Sequence, residues 1–217
     1  MSFLDRHDAG RRLAERLESH RGPAVVVLGL PRGGVPVAYE VATALGVPLD
    51  IVVSRKLVVP DRPWLVFGAV GEGGVRVTDS DFGGRAFISA DDRAQVAGER
   101  REQLRRSVAR YRRGDLPLPL DSTTALIIDD GLATGATAHV ARGVARARGA
   151  ARVVFATPVG SCRALRALTA VADQVICLHA PQLHGPIRPW YKDFAEVTDD
   201  EVCALLDRAG ETRAVHA

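Results

Sequence analysis

The chain has 217 residues, of which 47% are hydrophobic and 25% are charged, and its formal net charge is +3. This is typical of a globular protein, and the length suffices for one large α/β domain. Three cysteines without C-x-x-C spacing argue against a zinc site or a disulfide framework, and no apolar run approaches the roughly 20 residues of a membrane-spanning helix. We therefore expect a cytoplasmic protein without membrane contact.

The start of the chain predicts a parallel β-α-β arrangement. The patterns indicate, in chain order, an amphipathic helix, a buried strand, a glycine-rich turn, a helix and a second buried strand, at 8–20, 24–28, 29–34, 35–45 and 49–54. Arg55 and Lys56 follow the second strand directly. Because ligands bind beyond the carboxyl ends of parallel strands, these cations could face an anionic ligand, although a solvated strand exit is an equally good interpretation.

The middle of the chain departs from this alternation. Two short apolar segments at 67–70 and 75–78 flank a Gly-Glu-Gly-Gly turn and predict a hairpin, and 91–113 predicts a long helix. We expect 56–113 to be an excursion, or lid, that covers the carboxyl edge of the sheet. Glu72 in the turn is either an acid or base carried by this lid or, as the more ordinary interpretation, a solvent-exposed hairpin residue.

The long predicted helix is rich in arginine. From residue 93 onward it holds eight arginines against two glutamates, a charge of +6. Such a surface could contact RNA, but it is more typical of a solvated helix face, and Tyr111 is the one aromatic side chain there that could stack on a base. We therefore expect no nucleic-acid partner.

The alternation resumes in the second half, where strands and helices are predicted at 124–128, 137–148, 152–156, 161–170 and 174–178. Thr198 and Glu201 form a capping-box signature before a last helix that is predicted to end near Gly210. We therefore predict one α/β domain over 1–217, with an open, mainly parallel, doubly wound sheet flanked by helices and a hairpin lid.

The motif that points to chemistry follows the strand at 124–128. This strand ends in Asp129 and Asp130, and a turn of small residues at 133–137 leads into the next helix. Two adjacent acids at the end of a buried strand are costly unless a hydrogen-bond donor such as a sugar hydroxyl, or a bound Mg²⁺, meets them. The amides and hydroxyls of the turn and the helix dipole suit a phosphate, so the pattern favours a phosphorylated sugar over a plain strand–turn–helix.

A second loop, after the first predicted strand, contains Pro31, Arg32, Gly33 and Gly34. Glycines let the backbone turn sharply and present N–H groups, and Arg32 adds a forked cation suited to phosphate. Alone, the loop is an ordinary strand-to-helix turn, but next to the acid pair a phosphate-binding role becomes the better interpretation. The chain has neither the Gly-Lys-Ser/Thr of a Walker A motif nor the spacing of a dinucleotide fingerprint.

The stretch at 126–137 resembles the motif with which type I phosphoribosyltransferases bind 5-phosphoribosyl-1-pyrophosphate (PRPP). The wider resemblance covers about 3–206 and is to a bacterial phosphoribosyltransferase-like group that shares P-R-G-G-V-P at 31–36, D-D-G-x-A-T-G-A-T at 129–137 and an aromatic tail at 190–194. It implies an enzyme that binds Mg²⁺ with PRPP, transfers the ribose 5-phosphate group to an unassigned nitrogenous base and releases pyrophosphate. It also implies a homodimer.

The resemblance implies residue roles as well. Asp129 and Asp130 are the catalytic pair, which contacts the ribose 2- and 3-hydroxyls and touches the metal only through ribose or water. Five residues cradle the 5-phosphate: Ala133, Thr134, Gly135, Ala136 and Thr137. The pyrophosphate lies against a loop that in this family often contains a cis peptide bond, here Pro31, Arg32, Gly33 and Gly34, and against Lys56.

On the acceptor side, the resemblance places a small hood at about 179–194. Trp190 or Tyr191 could stack there on a base, unless both rings pack the C-terminal helix onto the core. Ala133 stands where enzymes acting on 6-oxopurines usually carry an aspartate, which disfavours hypoxanthine and guanine. Gly131 stands where many members carry an aliphatic residue.

Two other functions stay open at this point. The protein could be a PRPP- or nucleotide-sensing regulator that kept the binding site and lost turnover, or a hydrolase or phosphorylase of a ribose 5-phosphate compound. The same ribose and phosphate cradles would permit either.

Overall fold

The computed structural model describes residues 2–78, 88–132, 135–181 and 186–215. In chain order the strands are β1 (Val25–Gly29), β2 (Leu49–Ile51), β3 (Ser54–Val59), β4 (Arg62–Gly71), β5 (Arg76–Thr78), β6 (Thr124–Ile128), β7 (Arg152–Val159) and β8 (Gln174–His179). The helices are α1 (Arg6–Arg16), α2 (Gly34–Leu45), α3 (Ala90–Arg112), α4 (Ala136–Ala147), α5 (Cys162–Thr169) and α6 (Asp199–Val215).

Five of these strands run parallel in the order β2-β1-β6-β7-β8. This confirms the predicted α/β fold with an open, mainly parallel, doubly wound sheet. The strand order reverses next to β1, because the chain first moves outward to β2 and later continues on the other side of β1 with β6. A reversal of this kind leaves a crevice at the carboxyl ends of the two central strands.

Alternate residues of the central strands are buried on opposite faces of the sheet. Val27 and Leu126 pack with α1 and α2, whereas Leu28 and Ile127 pack with α4 and α5. Parallel sheets are normally covered in this way on both faces, which is why these strands are continuous apolar runs in the sequence. None of the helices in the described ranges has the length and apolar character needed to cross a bilayer.

A second, antiparallel sheet of β3, β4 and β5 packs against α4. The approach is close: a Cβ atom on Gly71 would lie 2.6 Å from Val144, and one on Gly143 would lie 2.8 Å from Val75. Glycine at both positions therefore lets this sheet lie directly on the helix. The hairpin predicted around the Gly-Glu-Gly-Gly turn is confirmed as β4 and β5.

Two predicted boundaries are wrong. The segment predicted as one strand over 49–54 is β2 followed by a separate strand, because the chain leaves the central sheet after Ile51 and enters the antiparallel sheet at Ser54. The last helix continues to Val215 instead of ending near Gly210. A glycine inside a helix costs about 1 kcal/mol but does not by itself end the helix.

Candidate functional site

The crevice at the reversal of strand order brings the two predicted loops together. β1 and β6 are neighbours, with Gly29 opposite Ile128, so the glycine loop and the acid pair leave the sheet side by side. The amide of Leu30 donates to the carbonyl of Ile128 at 3.0 Å. The two loops are therefore in direct contact at the carboxyl edge of the sheet.

Gly33 and Gly34 are required by the closeness of these loops. A Cβ atom on Gly33 would lie 2.0 Å from the Asp130 carboxylate, and one on Gly34 would lie 2.7 Å from the carbonyl oxygen of Ile128. The peptide bond at 31–32 is cis, as the family resemblance led us to expect. The backbone of the glycine loop thus forms one side of the crevice, and the acid pair forms the other.

The carboxyl group of Asp129 is desolvated in this crevice. Desolvation and the neighbouring Asp130 raise the pKa of Asp129 well above its usual value, while a hydrogen bond from the Asp130 amide, 2.9 Å long, and the Lys56 ammonium lower it. Two adjacent carboxyl groups do not both ionise cheaply without a cation or donors to meet them. The crevice therefore favours a ligand that brings hydroxyl donors or positive charge.

Asp130 has a cationic partner that the sequence did not reveal. The Arg6 guanidinium donates from Nε to Oδ2 of Asp130 at 2.8 Å, and both side chains are nearly buried. Arg6 also donates to the carbonyl of Ala195 at 2.7 Å and lies 3.8 Å from the ring centre of Phe194. The N-terminal helix and the C-terminal tail together orient the Asp130 carboxylate.

The aromatic tail packs against the N-terminal segment next to the acid pair. Tyr191 is 5% exposed, and its hydroxyl donates to the carbonyl of Asp130 at 2.6 Å. Its ring centre lies 5.3 Å from that of Phe3, while Trp190 stacks on His179 at 5.5 Å. Burial raises the pKa of the Tyr191 hydroxyl. Both rings have aromatic partners. Those of Tyr191 are Phe3 and Phe194, neither of which lies in the predicted C-terminal helix.

The two cations predicted after β2 differ in what they contact. Both lie within β3, and Lys56 is exposed and close enough to Asp129 to lower its pKa. Arg55 instead donates to its neighbour's carbonyl and to the hydroxyl of Ser107 on α3. Lys56 therefore acts on the crevice, whereas Arg55 joins the antiparallel sheet to α3.

The predicted phosphate cradle is described in part. Ala133 and Thr134 lie outside the described residues. Gly135 has a φ of 82°, in the left-handed region that favours glycine, and α4 begins directly after it at Ala136. Amides in the first turn of a helix have no partner within the helix, so those of Ala136 and Thr137 suit an anion beside the acid pair.

Known proteins resemble the chain over nearly its whole length. A family model described as a phosphoribosyl transferase domain matches residues 3–78. Two Mycobacterium tuberculosis proteins, "Putative phosphoribosyl transferase Rv0571c" and its counterpart MT0597, are 50% identical over 207 residues, which is 95% of this chain and 47% of theirs. The chain belongs to the phosphoribosyltransferase family. It spans about half the length of these two relatives.

One solved structure extends this family resemblance to the fold. The crystal structure of TT1426 from Thermus thermophilus is 41% identical, with a TM-score of 0.81 over 95% of this chain and 98% of that chain. Since the match spans nearly all of both chains, it is not confined to the central sheet.

One departure from the phosphoribosyltransferase pattern has a structural reason. Gly131 replaces the aliphatic residue that many members carry after the acid pair. A Cβ atom on Gly131 would lie 2.6 Å from the side chain of Ile187. Ile187 of the predicted hood therefore occupies the space that an aliphatic side chain would fill.

Both interpretations of Glu72 need correction, because its side chain is only 8% exposed and is held by internal partners. Its carboxylate binds Arg112 at 2.8 Å and accepts from the amide of Val53 at 2.7 Å. Arg112 also binds Asp50 at 2.9 Å, and Asp50 binds Arg148 at 2.6 Å. We call these four charged residues the ionic cluster; it ties the lid hairpin and α3 to the edge strand β2.

The residues of the crevice fit Mg²⁺ only in company with a phosphate ligand. Within the described ranges, no group of three or more His, Cys, Asp or Glu side chains could hold a metal ion. Mg²⁺ usually binds proteins through one or two carboxylates and completes its shell with water and substrate phosphates. Asp129 and Asp130 match that limited role.

Proposed function

We propose that this phosphoribosyltransferase binds PRPP with Mg²⁺ and transfers the ribose 5-phosphate group to a nitrogenous base, with release of pyrophosphate. The contact between the glycine loop and the acid pair carries the proposal. A crevice with a desolvated carboxyl pair on one side and a backbone-rich loop on the other suits a ligand that has both a diol and phosphates.

In this reaction a nitrogen atom of the base bonds to C1 of the ribose as the bond from C1 to the pyrophosphate oxygen breaks. The bonding electrons leave with pyrophosphate, and the nitrogen gives its proton to solvent or a basic group. Asp129 and Asp130 hold the ribose hydroxyls and balance the positive charge that grows on the ring. Arg32, Lys56 and the loop amides stabilise the departing pyrophosphate.

The residues around the acid pair have supporting tasks. Arg6 orients Asp130, and the first turn of α4 binds the 5-phosphate. Magnesium, when bound with PRPP, supplies charge that neutralises the phosphates, and Asp129 and Asp130 would hold it through ribose or water. Water must be kept out during transfer, and the segment 56–113 is the proposed cover.

The proposed acceptor is an adenine-like or non-purine base. Ala133 replaces the aspartate that 6-oxopurine enzymes usually carry as a partner for the purine nitrogen. Without that carboxylate, hypoxanthine and guanine lose a hydrogen-bond partner. A screen in which guanine or hypoxanthine proved the best acceptor would contradict this assignment.

The test is a pyrophosphate-release assay with Mg-PRPP and a panel of nucleobases and related heterocycles, run beside calorimetric titration of PRPP. We expect pyrophosphate release that requires both PRPP and one of the acceptors in the panel. The double variant Asp129→Asn/Asp130→Asn should lose it. As a control of equal charge change, Glu15→Gln/Glu18→Gln alters exposed acids of the N-terminal region and should retain it. No release and no PRPP binding would reject the proposal.

A regulator that binds PRPP without turnover is the second candidate. It is favoured by two ion pairs within the chain, Arg6 with Asp130 and Arg32 with Glu196, which engage charges that the reaction needs. The pair of Arg32 with Glu196 is exposed, and such pairs are worth about 0–1 kcal/mol, so pyrophosphate could displace Glu196 at little cost. Tight PRPP binding without release for any acceptor would favour the regulator.

We also propose that the protein is a cytoplasmic homodimer, the dimer being an inference from the family. The three cysteines are free thiols, which suits a reducing compartment. Sedimentation velocity that showed only monomers at micromolar concentration would contradict the dimer.

A further inference from the structure

A second cavity lies apart from the candidate site. It has a volume of about 600 Å³ and opens between α3, the turn that joins β4 to β5, and the loop 114–117. No residue of the glycine loop or the acid pair lines it. Cavities of about 300–1,000 Å³ are the size that binds small organic molecules.

The cavity walls are largely aliphatic. The apolar side chains that line it include Val70, Val75, Leu104, Val108, Ala109 and Leu116. Leu116 is 87% exposed, which is unusual for a large aliphatic side chain. Covering such surface gains about 25 cal/mol per Å², so an apolar molecule has a physical reason to enter.

The charges of the cavity divide into a paired, buried set and a mainly basic, exposed set. Glu72 and Arg112 bind each other at 2.8 Å, and each side chain is 8% exposed. Arg76 and Arg101 are exposed, and neither has a carboxylate within 4.0 Å in the part of the chain that the structure describes. Among the described lining residues, Asp115 is the one exposed carboxylate, and the exposed Arg105 pairs with Glu102. The opening is therefore suited to an anion.

These charges select among the possible occupants. A second copy of the chain is disfavoured, because a two-fold contact at this surface would bring its exposed arginines close to those of the other copy. Single-stranded RNA is disfavoured because none of the described residues that line the cavity is an aromatic residue that could stack on a base. A small molecule with an apolar body and one anionic group satisfies both the walls and the opening.

We propose that this cavity is a binding site for a small anionic amphiphile. Its apolar body lies against the aliphatic walls, and its carboxylate, sulfonate or phosphate ester group binds Arg76 and Arg101. The planar guanidinium offers paired N–H donors that match such oxyanions.

The probe is 8-anilinonaphthalene-1-sulfonate, which joins an apolar ring system to one sulfonate and fluoresces when it leaves water. N-phenyl-1-naphthylamine has the same rings without the charge. We expect the folded full chain to bind one equivalent of the sulfonate, more tightly than the neutral compound. Saturating Mg-PRPP should not displace it.

Two kinds of variant separate the contribution of the arginine charges from that of the cavity shape. Arg76→Gln/Arg101→Gln should weaken sulfonate binding by about tenfold, through loss of charged hydrogen bonds, and leave the neutral compound unaffected. The control Arg100→Gln/Arg106→Gln removes the same charge from α3 outside the cavity and should alter binding by no more than about twofold. Ala109→Trp, at an exposed helix position, should fill the cavity and abolish binding of both compounds.

Three results would overturn the proposal. The first is equal weakening by the two arginine pairs, which would indicate general charge attraction. The second is displacement of the probe by Mg-PRPP, which would place it in the crevice. The third is a dimer that Ala109→Trp dissociates, which would make the cavity a subunit interface. If Ala109→Trp does not fold, the two arginine pairs decide alone.

Discussion

The ionic cluster and the crevice both hold desolvated charges, but they differ in where the partners come from. In the ionic cluster, two carboxylates meet two guanidiniums: Asp50 binds Arg112 and Arg148 at 2.9 and 2.6 Å, and Glu72 binds Arg112 at 2.8 Å. The protein supplies every partner that these carboxylates have. The cluster therefore has a structural role.

In the crevice, the negative charges of the acid pair are not compensated in this way. Burial and the adjacent Asp130 raise the pKa of Asp129. Of the two carboxylates, Arg6 binds only that of Asp130, and Lys56 is exposed. A folded protein tolerates such an arrangement where a ligand completes it. Similar residue types thus stabilise the fold in one place and point to function in the other, and the difference is the balance of charge.

The largest expected effect comes from breaking the ionic cluster. Arg112→Met should lower the free energy of unfolding by about 3–5 kcal/mol, because Glu72 would stay buried without its cation and Asp50 would keep only Arg148. Urea unfolding measures this change. Arg106→Met on the exposed face of the same helix, where the side chain is 75% exposed, is the control and should stay within about 0.5 kcal/mol. Similar small effects for both variants would mean that the cluster is not a structural unit.

The next largest effect tests whether the crevice binds PRPP, by changing the shape of the crevice. Gly33→Ala should weaken PRPP binding by about 1–3 kcal/mol, because the new Cβ needs the space of the Asp130 carboxylate and displaces it from the ribose. Calorimetric titration measures the affinity. Gly22→Ala is the matched control, since a Cβ there meets no atom within 4 Å. PRPP affinity that both variants leave unchanged would place the ligand elsewhere.

The features that the sequence predicted are those that neighbouring residues determine. The apolar run before Asp129 predicts a buried strand, and the glycines after β1 predict a tight loop. The parallel alternation then requires both to end at one edge of the sheet. The fold class and the contact between the two loops follow from such local signals.

The features that the sequence did not predict depend on contacts between distant residues. Arg6 and Asp130 are 124 positions apart, and Glu72 and Arg112 are 40 apart, so no local pattern links them. β3 was missed because the apolar residues of β2 continue without a turn signal to Ser54, and the change of sheet is a tertiary event. Ion pairs between distant parts of the chain can be identified only once the fold is known.

A smaller effect concerns pH and tests whether the negative charge of the acid pair is left uncompensated in the crevice. Because the folded state raises the pKa of Asp129, the native protein keeps a proton there that the unfolded chain has already released. Stability should therefore fall as pH rises above the ordinary carboxyl range, by at most about 1.4 kcal/mol per pH unit, and level off once Asp129 ionises. Unfolding free energies of the wild type and Asp129→Asn should diverge in this window. Parallel curves would contradict the raised pKa.

The smallest effect separates the two neighbouring cations of β3. Lys56→Gln should weaken PRPP binding by about 0.5–1 kcal/mol, because an exposed ammonium is well screened. Arg55→Gln should have almost no effect on binding, because Arg55 contacts Ser107 and not the crevice. The difference should shrink as salt is raised, since screening reduces only the Lys56 contribution. If Arg55→Gln weakens PRPP binding as much as Lys56→Gln, the two charges act through the general potential of the surface, and Lys56 has no specific role at the pyrophosphate.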